Sequence, residues 1–325
     1  MSRLEEIRKR LQGQISVKKN GVESCEIDRE NIKQEAMRNL TSYRKELGNS
    51  RKALIIGNSS YYYPQSHLNG CRPDAEAMSK FFKAIGYIVT CILDANLDSM
   101  EQAYIDFEHR INDGDEAVLY FSGHGVQVNS EQYLLPIDFN ASCTEEIILG
   151  SINLQKKIDQ IMNRGARMTL AIVDACRQQI RFDLADNLII PEQIYSKNID
   201  SNTKKSRVNN VLSKDAKSGL NEESQCSSNN SSRKGIGIVY ASSHNTSSVD
   251  SSFLNHGIFT SVFLQEAIVP GRSISEVVHI VRKKVMQQSK METSLQSNGR
   301  LDFTQAPAFY DSLDGDFYFI PPDAI

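Results

Sequence analysis

The stretch Ala117-Val118-Leu119-Tyr120-Phe121-Ser122-Gly123-His124-Gly125 and its counterpart Met168-Thr169-Leu170-Ala171-Ile172-Val173-Asp174-Ala175-Cys176-Arg177 decide how this chain folds. Each is a run of apolar, β-prone residues that stops at a reactive side chain. The first ends at His124 and the second, 52 residues on, at Cys176. Continuous apolar runs predict strands buried on both faces, as in a parallel sheet. Ligands of open α/β sheets gather outside the carboxyl ends of the strands, which is where both side chains are expected. A thiol and an imidazole brought together there are the minimum of a cysteine-nucleophile enzyme. Glycines beside His124 allow a sharp turn and close approach of a substrate carbonyl, so the N–H groups of Gly125 and Cys176 are candidate oxyanion-hole donors. One His and one Cys taken alone are more often structural; their shared place at strand ends in one α/β run raises them above that.

Working outward, Lys52-Ala53-Leu54-Ile55-Ile56-Gly57 reads as a buried strand, followed by a helix over 72–84, a strand over 87–93 and a helix over 98–111. After the His124 strand come a short strand around Tyr133-Leu134-Leu135, a helix over 152–162 and the Cys176 strand. A further strand is read at Gly235-Ile236-Gly237-Ile238-Val239-Tyr240-Ala241, then helices over 257–269 and 274–288, then a last strand at Asp316-Phe317-Tyr318-Phe319-Ile320. Alternating strands and helices predict an α/β fold, a mostly parallel sheet flanked by helices on both faces.

Two segments depart from this pattern. Residues 1–50 are polar with irregularly spaced apolar positions (Leu4, Ile7, Leu11, Ile32, Met37, Leu40), which suits a helical extension, solvated or adaptor-binding. In residues 183–234, eighteen of 52 positions are Ser or Asn and charges of both signs alternate without apolar period. Such a segment buries too little surface to offset its ordering entropy and reads as a disordered loop. The organisation expected is therefore an extension (1–50), a segment with the His and Cys (51–182), the loop (183–234) and a closing segment (235–325).

Composition narrows the function classes. Of the 325 residues 40% are hydrophobic and 24% charged, as in ordinary globular proteins, and the net charge of −3 gives no electrostatic case for nucleic acid or membrane partners. No apolar run approaches the roughly 20 residues a membrane-spanning helix needs, and the charged start Met1-Ser2-Arg3-Leu4-Glu5-Glu6 lacks a signal-peptide core, so a cytoplasmic location is expected. The six cysteines form no CxxC pair, which indicates neither a disulfide framework nor a zinc site. Neither GxGxxG nor GxxxxGK[ST] follows any predicted strand, against a nucleotide-binding module.

The blocks Tyr120-Phe121-Ser122-Gly123-His124-Gly125 and Asp174-Ala175-Cys176-Arg177 resemble the catalytic motifs of caspase-like cysteine peptidases. So do Leu68-Asn69-Gly70-Cys71-Arg72-Pro73-Asp74, Leu134-Leu135-Pro136-Ile137-Asp138, His256-Gly257-Ile258-Phe259-Thr260 and Gln305-Ala306-Pro307, in the family's order. The resemblance covers residues 50–182 and 235–322. It implies a caspase-like sandwich with a six-stranded sheet, and catalysis in which Cys176 attacks the scissile carbonyl while His124 protonates the leaving amine and then activates water. No third triad member is apparent. Where caspases that cut after aspartate carry Gln before Ala-Cys, this chain carries Asp174, and an anion there favours Arg or Lys before the cut. The likeness to paracaspases and metacaspases, closest to the paracaspase type, implies a pocket of Asp74, Asp174 and Asp250. It also implies a substrate strand laid along Ala241, Ser242 and Ser243.

The resemblance carries three further expectations. The loop at 183–234 offers Lys205, Arg207, Arg233 and Lys234 as candidate self-cleavage sites, although basic residues there also keep a loop soluble. Asn140-Ala141-Ser142-Cys143-Thr144-Glu145-Glu146 stands where many metacaspases bind calcium, yet with no Asp pair it is weak support for a metal, and no cofactor is expected. Activation by homodimerisation through the last strand fits the paracaspase-like reading, and the alternative throughout is a catalytically silent scaffold of the same fold.

Overall fold

The computed structural model describes residues 51–63, 66–175, 178–179, 235–242, 257–296 and 305–322. Five strands build a parallel sheet: β1 (Arg51–Gly57), β2 (Ile88–Leu93), β3 (Glu116–Gly123), then β7 (Met168–Ala175) and β9 (Gly235–Tyr240), after the short strands β4 (Gly125–Val128), β5 (Glu131–Leu134), β6 (Ile152–Asn153) and β8 (Gln178–Gln179). A sixth strand, β10 (Ala308–Leu313), closes one edge antiparallel to β9, giving the order β10-β9-β7-β3-β1-β2. The short strands β6-β5-β4-β8 form a separate sheet beside the carboxyl end of β3.

Alternation along each strand divides the core in two. Ala53, Ile55, Val118, Tyr120, Leu170, Ile172 and Val239 face one side, where they pack on α1 (Cys71–Ala84), α5 (Ile258–Ala267) and α6 (Ile274–Gln296). Leu54, Ile56, Leu119, Phe121, Ala171 and Val173 face the other and pack on α2 (Leu97–His109) and α4 (Leu154–Asn163); a short helix, α3 (Thr144–Leu149), lies between β5 and β6. Strands covered on both faces have no polar side to show, which is why the sequence runs are continuously apolar. Asn96 and Asn153 start α2 and α4 by accepting the N–H of Ser99 and Lys156 at 2.9 and 3.0 Å. The connection from β1 runs to β2 on one side, and the chain then returns to β3 on the other. A crevice therefore opens at the carboxyl ends of β1 and β3.

The final strand differs from the sequence expectation. Residues 316–320 form no ladder; only Tyr318 makes an isolated bridge, to Ser273. Their apolar character comes from packing instead: Phe317, Phe319 and Ile320 are buried, and the Phe319 ring meets Phe81, Phe82 and Phe263 at 5.8–5.9 Å. The edge strand is Ala308–Leu313, whose mixed, half-exposed residues suit a strand with one neighbour.

The opposite, amino end of the sheet holds buried charge. Glu116 pairs with both Arg51 and Arg167, and Lys52 pairs with Asp115. No helix of the described residues is long and apolar enough to cross a membrane.

Candidate active site at the carboxyl edge of the sheet

His124 follows directly on β3, whose last residue, Gly123, pairs in parallel register with Ala175, the last residue of β7. Cys176 is next in sequence and lies outside the described residues, as do Ser243, Asp250, Lys205, Arg207, Arg233, Lys234 and the segments 1–50 and 183–234. The His124 side is fully defined. The residue is buried, and its Nε2 lies 2.8 Å from the carbonyl oxygen of Ser66. A carbonyl only accepts, so Nε2 carries the proton and Nδ1 keeps its lone pair as the basic nitrogen. Burial holds the imidazole pKa below its ordinary value, and the Ser66 carbonyl offsets part of that shift.

The turn after β1 contributes more than Ser66. The hydroxyl of Tyr61 accepts the His124 backbone N–H at 2.7 Å and donates to the Leu135 carbonyl at 3.2 Å. Its ring lies 4.4 Å from the imidazole, tilted by 57°. Asp94 anchors this turn by accepting the N–H groups of Ser59 and Ser60, both at 2.8 Å. Neither Tyr61 nor Ser66 stood out in the sequence. Tyr61 is one of three consecutive tyrosines, and Ser66 acts through its main chain, which any residue possesses.

Gly125 opens β4 and pairs with Leu134 on β5. Because the Leu135 N–H donates to the His124 carbonyl at 3.0 Å, Gly125 and Leu134 are a non-hydrogen-bonded pair. The β4–β5 ladder thus leaves the Gly125 N–H unused.

Asp74 and Asp174 come together on the face covered by α1 and α5. Asp74, four residues into α1, is 2% exposed; both its carboxylate oxygens accept the Gly257 N–H at 3.1 Å. Asp174 accepts from the Thr260 hydroxyl at 3.0 Å, and Thr260 Oγ1 lies 2.7 Å from the Tyr120 hydroxyl. Thr260 spends its proton on Asp174, so it accepts from Tyr120. Burial and then the charges of Asp74 and Asp174 raise the Tyr120 pKa well above its ordinary value, keeping that phenol a donor. A methyl group at Gly257 would stand 2.9 Å from Asp74 Oδ2 and 3.3 Å from Asp174 Oδ2, so both carboxyl groups face one point beside α5.

At the end of β9, Ala241 and Ser242 are fully buried. The Ala241 N–H donates to Val173 at 2.8 Å, its carbonyl accepts from Gln305 Nε2 at 2.9 Å, and Ser242 Oγ donates to the Ala175 carbonyl at 3.1 Å. Gln305 therefore ties the chain before β10 to the end of β9. In the stretch 140–146, Glu146 accepts the N–H and hydroxyl of Ser142 at 2.6 and 2.7 Å, and Glu145 and Glu146 sit in the first turn of α3. Among the described residues no cluster of three or more His, Cys, Asp or Glu is placed to hold a metal ion.

With this geometry in view, the sequence matches the family described as Caspase domain (Peptidase_C14) over residues 50–318. The chain belongs to the caspase-domain peptidase family. Its match to "Mucosa-associated lymphoid tissue lymphoma translocation protein 1" of Homo sapiens is 23% identical over 138 residues, and to the Mus musculus homolog 24%. These alignments cover 42% of this chain and 16% of the length of each relative. Among solved structures, Caspase-1 from Spodoptera frugiperda superposes with a TM-score of 0.55 at 15% identity, covering 84% of this chain and 93% of that one. At that identity the superposition speaks for the caspase-domain fold alone.

Proposed function

We propose that this caspase-domain protein is a cysteine endopeptidase that cuts after Arg or Lys, with Cys176 as nucleophile and His124 as its acid–base partner. The observation that carries the reading is the convergence of Asp74 and Asp174 on one buried point beside Gly257, with Cys176 two positions after Asp174 in the chain. A cationic side chain entering there meets two carboxylates in a low-dielectric setting, whereas an acidic one is repelled. Asp250 is proposed as the third acid of this pocket.

In the proposed reaction, the Cys176 thiolate attacks the scissile carbonyl carbon and the oxyanion is held by the N–H groups of Gly125 and Cys176. His124, which has taken the Cys176 thiol proton on Nδ1, donates that proton to the departing amine as the C–N bond breaks, leaving a thioester. The imidazole then takes a proton from water, which attacks the thioester and releases the acid and the free thiol. The Ser66 carbonyl fulfils the orienting part that a third side chain plays elsewhere, by holding the tautomer with the proton on Nε2. Substrate main chain is proposed to pair along the segment that continues β9. Both main-chain groups of Ala241 are engaged, so that pairing would begin at Ser242 and Ser243. Cleavage at Lys205, Arg207, Arg233 or Lys234 by the same site and pairing of two copies along β10 are proposed as its regulation.

Peptides matched except for Arg, Lys or Asp before the cut test the reading on wild type, Cys176→Ala and Asp174→Asn. Cleavage after Arg or Lys is expected from wild type, equal with calcium or a chelator. It should be abolished by Cys176→Ala and weakened by Asp174→Asn. Cleavage after Asp overturns the pocket. A folded wild type that cuts none of the peptides favours a silent scaffold.

A further inference from the structure

We infer that Tyr61 is a positioning residue for His124, fixing the backbone and ring from the turn after β1 so that Nε2 meets the Ser66 carbonyl. The inference rests on the reading of His124 as the acid–base group. At the carboxyl end of β3 the neighbouring strand β1 has already ended, and Asn58, the residue after it, donates to Ser122 at 2.9 Å. The His124 N–H lies beyond that ladder, and the Tyr61 hydroxyl supplies its acceptor. A buried N–H without one is costly, so this contact decides where the chain carries the imidazole.

Three other contacts make Tyr61 a fixed reference. Its hydroxyl proton goes to Leu135, whose N–H binds the His124 carbonyl, so the two main-chain groups of His124 are held by one closed arrangement. His67 Nε2 lies 2.8 Å from the Tyr61 carbonyl, and Tyr61 packs with Val126, Tyr133 and Leu135. The ring against the imidazole then blocks rotation about the side chain. The same contact gives Gly123 its reason, since a Cβ there would stand 2.7 Å from the Tyr61 hydroxyl and 2.8 Å from the Phe121 ring. Among the described residues, the influences on the imidazole itself are burial and the Ser66 carbonyl.

Tyr61→Phe keeps the ring and deletes the hydroxyl. Peptide cleavage should show kcat reduced about tenfold or more with KM within about twofold, because misplacing a reacting group costs rate rather than binding. In the Cys176→Ala background, ¹⁵N shifts of His124 should show a smaller share of the Nε2-protonated tautomer in Tyr61→Phe than in the parent. An unchanged kcat, or an unchanged tautomer ratio, overturns the inference. If wild type cleaves no peptide, the peptidase reading fails, and the tautomer ratio alone decides this one. Should Tyr61→Phe not fold, Asp94→Ala, which releases the turn from outside the site, is expected to move both readouts the same way, and no movement overturns the inference.

Discussion

Asp74 on α1 and Asp174 at the end of β7 approach a single point beside Gly257, and the Gly257 N–H binds both oxygens of Asp74. Glycine is required there by contact, since any Cβ would enter the space the two carboxylates share. Gly257→Ala should therefore cost about 1.5–3 kcal/mol of Arg-peptide binding, about a tenfold to hundredfold rise in KM. Steady-state kinetics on an Arg peptide check this, and a KM equal to wild type would count against the pocket.

The Tyr120–Thr260–Asp174 chain points its hydrogens at the carboxylate. Thr260→Val removes the donor without changing shape, so kcat/KM for Arg and Lys peptides is expected to fall about tenfold. Thr260→Ser retains the hydroxyl and should stay close to wild type. Equal activity of the Val and Ser variants would show that the chain does not serve Asp174.

Glu116, at the start of β3, is buried between Arg51 and Arg167. Replacing it by Ala strands two cations, and chemical denaturation should show a loss of about 3–5 kcal/mol. Glu116 lies roughly 23 Å from Gly123 along the strand, so kcat of the remaining folded enzyme should not change.

The lowered pKa of His124 has a sign in stability. The folded state gives up the proton more readily than the unfolded chain, so between its lowered folded value and the ordinary 6.5 unfolding takes up a proton. Cys176→Ala protein should thus be most stable above that pH and lose stability as the pH falls through it. His124→Gln in the same background should flatten that part of the profile, read by denaturation midpoints across pH.

The parallel sheet, its helices and the ends of β3 and β7 could all be read from apolar runs such as 117–121 and 168–173, because a doubly covered strand has no choice of composition. That Asp74 and Asp174 belong to one place in the fold was legible only through motif resemblance, and the structure sets both beside Gly257. The strand at 308–313 was not, because edge strands carry mixed residues, while the aromatic run 316–320 imitated a strand through its contacts with Phe81, Phe82 and Phe263. Thr260 stood inside a recognised motif, but nothing in sequence says that its hydroxyl turns toward Asp174.

By itself the sequence determined the doubly buried strands and the residues that follow their ends, since burial and local periodicity are written in residue type. Only the tertiary structure decided what surrounds them. Ser66 acts through a carbonyl, Tyr61 through one hydroxyl meeting a main-chain N–H, and Gly257 through an absent side chain. These are properties of position rather than residue type, and they exist only once β1, β3, α1 and α5 are packed together.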